Sequence, residues 1–152
     1  MIMITIEFNN RVVTYRYKSF NEILKLDNYN DIIYINCDHN SLSNLPELPN
    51  SLKSLRCCNN DLSSLPELPN SLEKLWCFNN NLSSLPELPN SLKRLYCNNN
   101  NLSSLPELPN KLTYLWCDYN KLSVLPELPN SLIYIGYYDN PIYTHIITYF
   151  DG

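Results

Sequence analysis

From Ile32 to Ile142 the apolar positions of this chain repeat every 20 residues. Leu-Pro-Glu-Leu-Pro-Asn begins at Leu45, Leu65, Leu85, Leu105 and Leu125 without a slip in spacing. The unit from Ser51 to Asn70 reads LxxLxCxxNxLxxLPxLPx from Leu52 onward. The unit before it keeps Ile32, Ile35, Cys37, Asn40, Leu42, Leu45 and Leu48. A partial unit from Ser131 keeps Leu132, Ile135, Tyr137, Asn140 and Ile142. Within a unit, Leu55 and Cys57 alternate with Ser54, Arg56 and Cys58, the period of a half-buried strand. Pro66 and Pro69 each remove a backbone donor and fix φ, so the return segment is extended, not helical. No unit can bury its own leucine face. Copies must therefore stack, with strands side by side at about 4.8 Å in a parallel sheet. Five full units and a partial sixth are expected across residues 31–142.

The unit is the leucine-rich repeat pattern L-x-x-L-x-L-x-x-N/C-x-L at the short end of its length range. Its LPxLP form resembles the repeats of bacterial type III-secreted leucine-rich-repeat effectors. Similar repeats occur in large DNA viruses. The resemblance covers Asp31 to about Ile142. It implies an α/β solenoid, mostly β, with the parallel sheet on a concave face and an extended, polyproline-like convex side. It also implies protein–protein interaction in an effector-like or adaptor role. Some of these effectors carry a cysteine-dependent ubiquitin ligase domain after the repeats. Only residues 143–152 follow here, so no ligase activity is expected. The N-terminus also departs from the helical hairpin that starts those effectors.

The ends of a stack must shield its core. Ile2, Ile4, Ile6 and Phe8 alternate with Met3, Thr5 and Glu7, and Val13, Tyr15 and Tyr17 alternate in the same way. A turn at Asn9-Asn10 pairs Phe8 with Arg11, Ile6 with Val13 and Ile4 with Tyr15. Ser19 and Glu22 have the spacing of a capping box, and Phe20, Ile23 and Leu24 form one helical stripe. Residues 1–30 are therefore expected to cap the first coil with a β-hairpin and a short helix. Residues 143–152 are expected to cap the last, through a helix opened by Pro141 and carrying Ile142, Ile146, Ile147 and Phe150.

Each repeat position forms a column down the stack. Cys37, Cys57, Cys77, Cys97 and Cys117 fall in the inward strand phase. A straight row cannot wrap a metal ion, and its spacing is too wide for disulfides. The row reads as buried free thiols, which implies a reducing, intracellular compartment. Asn40, Asn60, Asn80, Asn100, Asn120 and Asn140 form an inward amide ladder that should satisfy every member but the last. Glu47, Glu67, Glu87, Glu107 and Glu127 make an exposed stripe, a solvated face or an acidic dock for a basic partner.

The outward strand columns vary where the skeleton does not. One reads Asn36, Arg56, Trp76, Tyr96, Trp116 and Gly136, and holds both tryptophans of the chain. Beside it lie Tyr34, Ser54, Lys74, Arg94, Tyr114 and Tyr134, then Asp38, Cys58, Phe78, Asn98, Asp118 and Tyr138. Next come His39, Asn59, Asn79, Asn99, Tyr119 and Asp139. Trp, Tyr and Arg dominate interface hot spots. Trp76, Tyr96, Trp116, Phe78 and Tyr114, with Arg56, Lys74 and Arg94 adding charge-assisted contacts, are the candidate residues for gripping a protein or peptide. The same aromatic face offers a second reading, self-association as a symmetric dimer. Aromatic rungs can also serve the sheet itself.

Composition narrows the function further. The formal charge is −4, against the basic face of a nucleic-acid binder. No apolar run reaches the length of a membrane span, and the first residues lack the basic flank and cleavage site of a signal peptide. No cofactor or metal is implied. His39 and His145 lie far apart in the stack, and neither has a Ser or Cys partner in a dyad, so the reading is non-enzymatic. Cys58 is the one cysteine in an outward phase. With Arg56 and Lys74 nearby, its pKa should fall and it should be the first thiol to react.

Overall fold

The structure, a computed structural model, describes residues 2–8, 11–17 and 19–142. Eight strands form one sheet: β1 (Ile2–Phe8), β2 (Arg11–Tyr17), β3 (Tyr34–Asn36), β4 (Ser54–Arg56), β5 (Lys74–Trp76), β6 (Arg94–Tyr96), β7 (Tyr114–Trp116) and β8 (Tyr134–Gly136). The order is β2-β1-β3-β4-β5-β6-β7-β8. From β3 to β8 all pairs are parallel, and Ile35, Leu55, Leu75, Leu95, Leu115 and Ile135 stand in register. The chain is a mostly β solenoid, and the 20-residue period becomes one coil per strand.

The core is the inward column set. Leu52, Leu55, Cys57 and Leu62 are fully buried, as are their equivalents Leu72, Leu75, Cys77 and Leu82 in the next coil. The Leu-Pro-Glu-Leu-Pro-Asn segments carry no helix or strand, as their prolines dictate. Each ends in a turn, such as Leu52 N–H on the Pro49 carbonyl at 3.0 Å. Ser51, Ser71 and Ser131 then donate their hydroxyls to Ile32, Leu52 and Leu112 carbonyls of the preceding coil at 2.6, 2.7 and 2.6 Å.

The asparagine ladder binds coil to coil. Asn60 Oδ1 accepts the N–H groups of Asn40 and Leu42 at 3.0 and 2.9 Å. Its Nδ2 donates to the carbonyls of Cys37, one coil back, and of Cys57 and Cys58 in its own coil. Each amide thus reaches toward the N-terminus. The expectation that the last member lacks partners is corrected: Asn140 Oδ1 accepts Leu122 N–H, and its Nδ2 reaches Cys117 O at 3.0 Å. The member with no coil before it is Asn40, and β1 fills that place. Met3 N–H donates to Asn40 Oδ1 at 2.8 Å, and Asn40 Nδ2 donates to Met3 O at 2.9 Å.

The hairpin has the register read from its alternation, Phe8 with Arg11, Ile6 with Val13 and Ile4 with Tyr15. Beyond that reading, β1 also joins the solenoid sheet, antiparallel to β3, with Ile6 beside Ile35. Ile4, Ile6 and Phe8 close the end of the core, and Phe20 and Ile23 pack in with them. The expected short helix is two 3-10 turns, Phe20–Lys25 and Tyr29–Asp31, and the Ser19 side chain makes no capping bond. The Asn9-Asn10 turn and the C-terminal cap over 143–152 lie outside the described residues.

The turn after each strand has a fixed conformation. His39, Asn59, Asn79, Asn99, Tyr119 and Asp139 all have φ between 52° and 58°. That left-handed region suits Asn and Asp and disfavours other side chains. The asparagines of this column are thus backbone residues first. Tyr119 occupies the conformation without the amide that eases it. Tyr119→Asn is expected to stabilise the fold by about 0.5–1 kcal/mol, read from urea unfolding midpoints.

All six cysteines are free and fully buried. Cys37, Cys57 and Cys117 donate Sγ–H to the carbonyls of Arg56, Trp76 and Gly136 at 3.3, 3.4 and 3.1 Å. Burial pushes the Cys77 thiol up to about 12; burial, then the Asp118 carboxylate, does the same for Cys117. The sign follows. An unfolded thiol ionises above its ordinary pKa while the buried one does not, so stability is intact below that pKa and is lost as pH rises towards about 12. The urea midpoint should hold up to about pH 8.5 and fall above it, less steeply in Cys77→Ala.

Candidate functional site

The strand registers carry the variable columns onto the outward face of the sheet. Arg56, Trp76, Tyr96 and Trp116 stand on successive strands in direct register. The Trp76 and Tyr96 rings stack, with centroids 5.6 Å apart and planes 5° from parallel. Tyr96 and Trp116 follow at 5.7 Å and 38°. Trp116 then meets Tyr134 edge-on at 5.1 Å, which extends the row past the residues chosen from sequence. At the other end the Arg56 guanidinium lies over Trp76, 5.5 Å from the ring centre. This cation–aromatic ladder is built by repetition: ring spacing follows strand spacing, so rings in one column must touch.

Lys74, Arg94 and Tyr114 form the neighbouring row. The Arg94 guanidinium covers the Tyr114 ring at 5.1 Å. Phe78 lies in a third row and is half-buried. The five aromatics chosen from sequence thus fall in three rows and are not evenly presented. Trp76 and Tyr96 are half-buried between neighbours, whereas Trp116 is 42 % exposed. Tyr134, Tyr119 and Tyr138, not among the residues chosen from sequence, are 43 %, 49 % and 56 % exposed. Tyr119 and Tyr138 meet edge-on at 5.7 Å. The exposed aromatic surface is thus concentrated at the β7–β8 end. Its signal in the sequence was the rise in tyrosine from Tyr114 to Tyr138.

Two charged expectations change. Arg56 is engaged within the chain: its Nη2 and Nε lie 2.8 and 2.9 Å from Asp38 Oδ2. Cys58 is not outward. It is fully buried, its N–H is held by Asp38 Oδ1 at 2.7 Å, and burial, then the Asp38 carboxylate, push its pKa up rather than down. The strand ends at Arg56, so the alternation no longer applies at Cys58. His39 Nε2 lies 3.2 Å from Asn59 Nδ2, and Asn79 continues this exposed polar row by donating to Asn59 Oδ1 at 2.7 Å. Glu47, Glu67, Glu87, Glu107 and Glu127 are all exposed, away from the sheet. Among the described residues no group of metal-ligating side chains converges, and no helix is long and apolar enough to cross a membrane.

No family model and no curated protein matches the chain. Solved structures do. The leucine-rich-repeat domain of a Shigella effector is 37 % identical over 80 % of this chain and 54 % of its own, with a TM-score of 0.73. YopM of Yersinia pestis, a leucine-rich effector protein, is 47 % identical over 68 % of this chain and 31 % of its own, at 0.66. YopM of Yersinia enterocolitica is 38 % identical over 71 % and 29 %, at 0.56. The chain spans about half the length of the first and about a third of the other two.

The outward ladder and the inward core differ in what a truncation costs. Trp76→Ala removes an outward ring and is expected to cost about 1 kcal/mol, the scale of a cross-strand pair. Leu75→Ala, one residue away and fully buried, should cost roughly 2–5 kcal/mol. Thermal melts of the two variants give the comparison.

Proposed function

We propose that this chain, a leucine-rich-repeat protein similar to bacterial effector repeat domains, binds a protein or peptide partner through the outward face of its sheet. The observation that carries the reading is the cluster of half-exposed aromatics at the β7–β8 end, Trp116, Tyr119, Tyr134 and Tyr138. Large exposed aromatic area on a rigid support is what interface anchors require. Trp76, Tyr96, Phe78 and Tyr114 extend the surface, with Lys74 and Arg94 at its flank. Arg56 supports the ladder through Asp38 and Trp76 and contacts a partner only secondarily. The role is non-enzymatic, effector-like or as an adaptor, and the compartment is a reducing one, in keeping with six free thiols.

The test is binding by the intact chain and by Trp116→Ala and Tyr134→Ala. Each substitution should weaken capture of the true partner by about 2 kcal/mol or more, roughly 30-fold, while Glu87→Gln on the opposite side leaves it unchanged. The reverse order would move the site to the glutamate stripe. Light scattering across a concentration series separates the self-association reading: a dimer abolished by Trp116→Ala would make the partner a second copy.

A further inference from the structure

Basic side chains gather at one rim of the sheet, where the chain enters the strands. Lys53, Glu73 and Lys93 hold the same repeat position in successive coils. The backbone joins them: Glu73 N–H donates to Lys53 O and Lys93 N–H to Glu73 O, both at 2.8 Å. Beside them Lys74 and Arg94 stand in direct register on β5 and β6. Four cations thus surround one carboxylate. Lys93 Nζ takes it at 2.8 Å. The Lys93 hydrogen bond first, then, against burial, the charges of Lys93, Lys53 and Lys74 hold the Glu73 carboxyl below its usual range, so it feels all three lysines at once. Lys53, Lys74 and Arg94 have no ion pair among the described residues. Lys53, Lys93 and Arg94 are exposed, and Lys74 is half-buried.

This patch runs against the sign of the whole chain, whose formal charge is −4. Like charges in register on adjacent strands repel and weaken a sheet. At a strand spacing of about 4.8 Å, a carboxylate set between Lys74 and Arg94 receives a donor from each and relieves that repulsion. The Arg94 guanidinium is already held over the Tyr114 ring at 5.1 Å, which orders it before a partner arrives. The patch adjoins the aromatic ladder, for Lys74 shares β5 with Trp76 and Arg94 shares β6 with Tyr96. The faces of Trp76 are taken, by the Arg56 guanidinium at 5.5 Å and the Tyr96 ring at 5.6 Å. Ring edges suit the side chains of a peptide. They give a nucleic-acid base no face to stack on.

We propose that Lys53, Lys74, Lys93 and Arg94 form a receptor for the carboxylates of an acidic segment of the protein partner. The inference rests on the outward-face reading and names the partner's chemistry there. A partner anchored by apolar side chains on the exposed rings of the β7–β8 end presents acidic residues to β5 and β6. Acidic stretch and apolar anchor then follow one another along the stack. Glu73 is the one opposing charge within the receptor.

The test is fluorescence anisotropy of the intact chain with a labelled peptide, a run of glutamates followed by Leu-Phe. The same peptide with glutamine for glutamate should bind at least tenfold more weakly, and binding of the glutamate peptide should weaken as salt is raised. The double substitution of Lys53→Gln with Lys74→Gln, and Arg94→Gln alone, should each lose at least tenfold with the melting temperature retained. Lys121→Gln, which removes an exposed cation beyond the strand ends, should leave binding unchanged. Glu73→Gln should bind more tightly than the parent. The proposal is overturned if the glutamine peptide binds as well as the glutamate one, if the double lysine variant binds like the parent, or if Glu73→Gln brings no gain. Oligothymidylate binding more tightly than the peptide also overturns it and makes the partner a nucleic acid. The two readings fail separately. If the double lysine variant still captures a partner that Trp116→Ala loses, the acidic receptor falls and the outward face stands. If the glutamate peptide depends on Lys74 and Arg94 but no partner depends on Trp116 or Tyr134, the receptor stands and the β7–β8 anchor falls.

Discussion

The asparagine amide after each strand is the interaction on which the other columns depend. A coil this short must turn its backbone into the core right after a three-residue strand. That exposes carbonyl and N–H groups to an apolar interior, where an unpaired group costs about 1–3 kcal/mol. One amide answers for several of them at once: Asn80 donates to Cys57, Cys77 and Phe78 carbonyls and accepts Leu62 N–H. Because it bonds one coil back, each repeat is completed by its successor. The arrangement has a direction, and at its N-terminal end the first amide, Asn40, has no coil behind it. Met3 on β1 fills that place, which gives the hairpin a polar task beside its apolar one.

The same geometry dictates what its neighbours can be. With the amide turned inward, the residue just before it is driven to positive φ, and Asn recurs there in three consecutive coils, Asn59, Asn79 and Asn99. The thiol column is held by a different economy of space. Sγ sits over a carbonyl of the next strand, as Cys117 does on Gly136, so the smallest apolar side chain with a donor fits.

The period, the strand phase and the hairpin register were legible because each rests on spacing alone. Ile6 faces Val13 for the same reason that Leu55 faces Leu75: alternation leaves one choice of face. What stayed hidden depends on geometry between coils. The inward burial of Cys58 requires knowing that β4 stops at Arg56. The use of Arg56 by Asp38 links residues 18 positions apart, a spacing no strand or helix pattern singles out. The left-handed column was visible as an asparagine bias but was read as surface chemistry. The aromatic columns were visible, yet their uneven exposure was not, since Trp76 and Trp116 both sit between Leu and Cys at the same repeat position.

A strictly periodic scaffold makes its departures meaningful. Stacked copies impose the same backbone on every coil, so two residues at one repeat position meet the same surroundings unless a neighbouring column differs. Asp38 and Asp118 differ in one neighbour, Arg56 against Gly136, and that exchange leaves Asp118 Oδ2 buried without the guanidinium that Asp38 Oδ2 receives. The exchange falls where ring exposure also rises, at Trp116, Tyr134 and Tyr138. At the β3–β4 end the charge is consumed within the fold and supports the ladder. At the β7–β8 end the rings of Trp116 and Tyr134 are more exposed than those of Trp76 and Tyr96. The repeat thus carries one backbone through all its coils, and the side chains of the outward columns alone make its two ends differ.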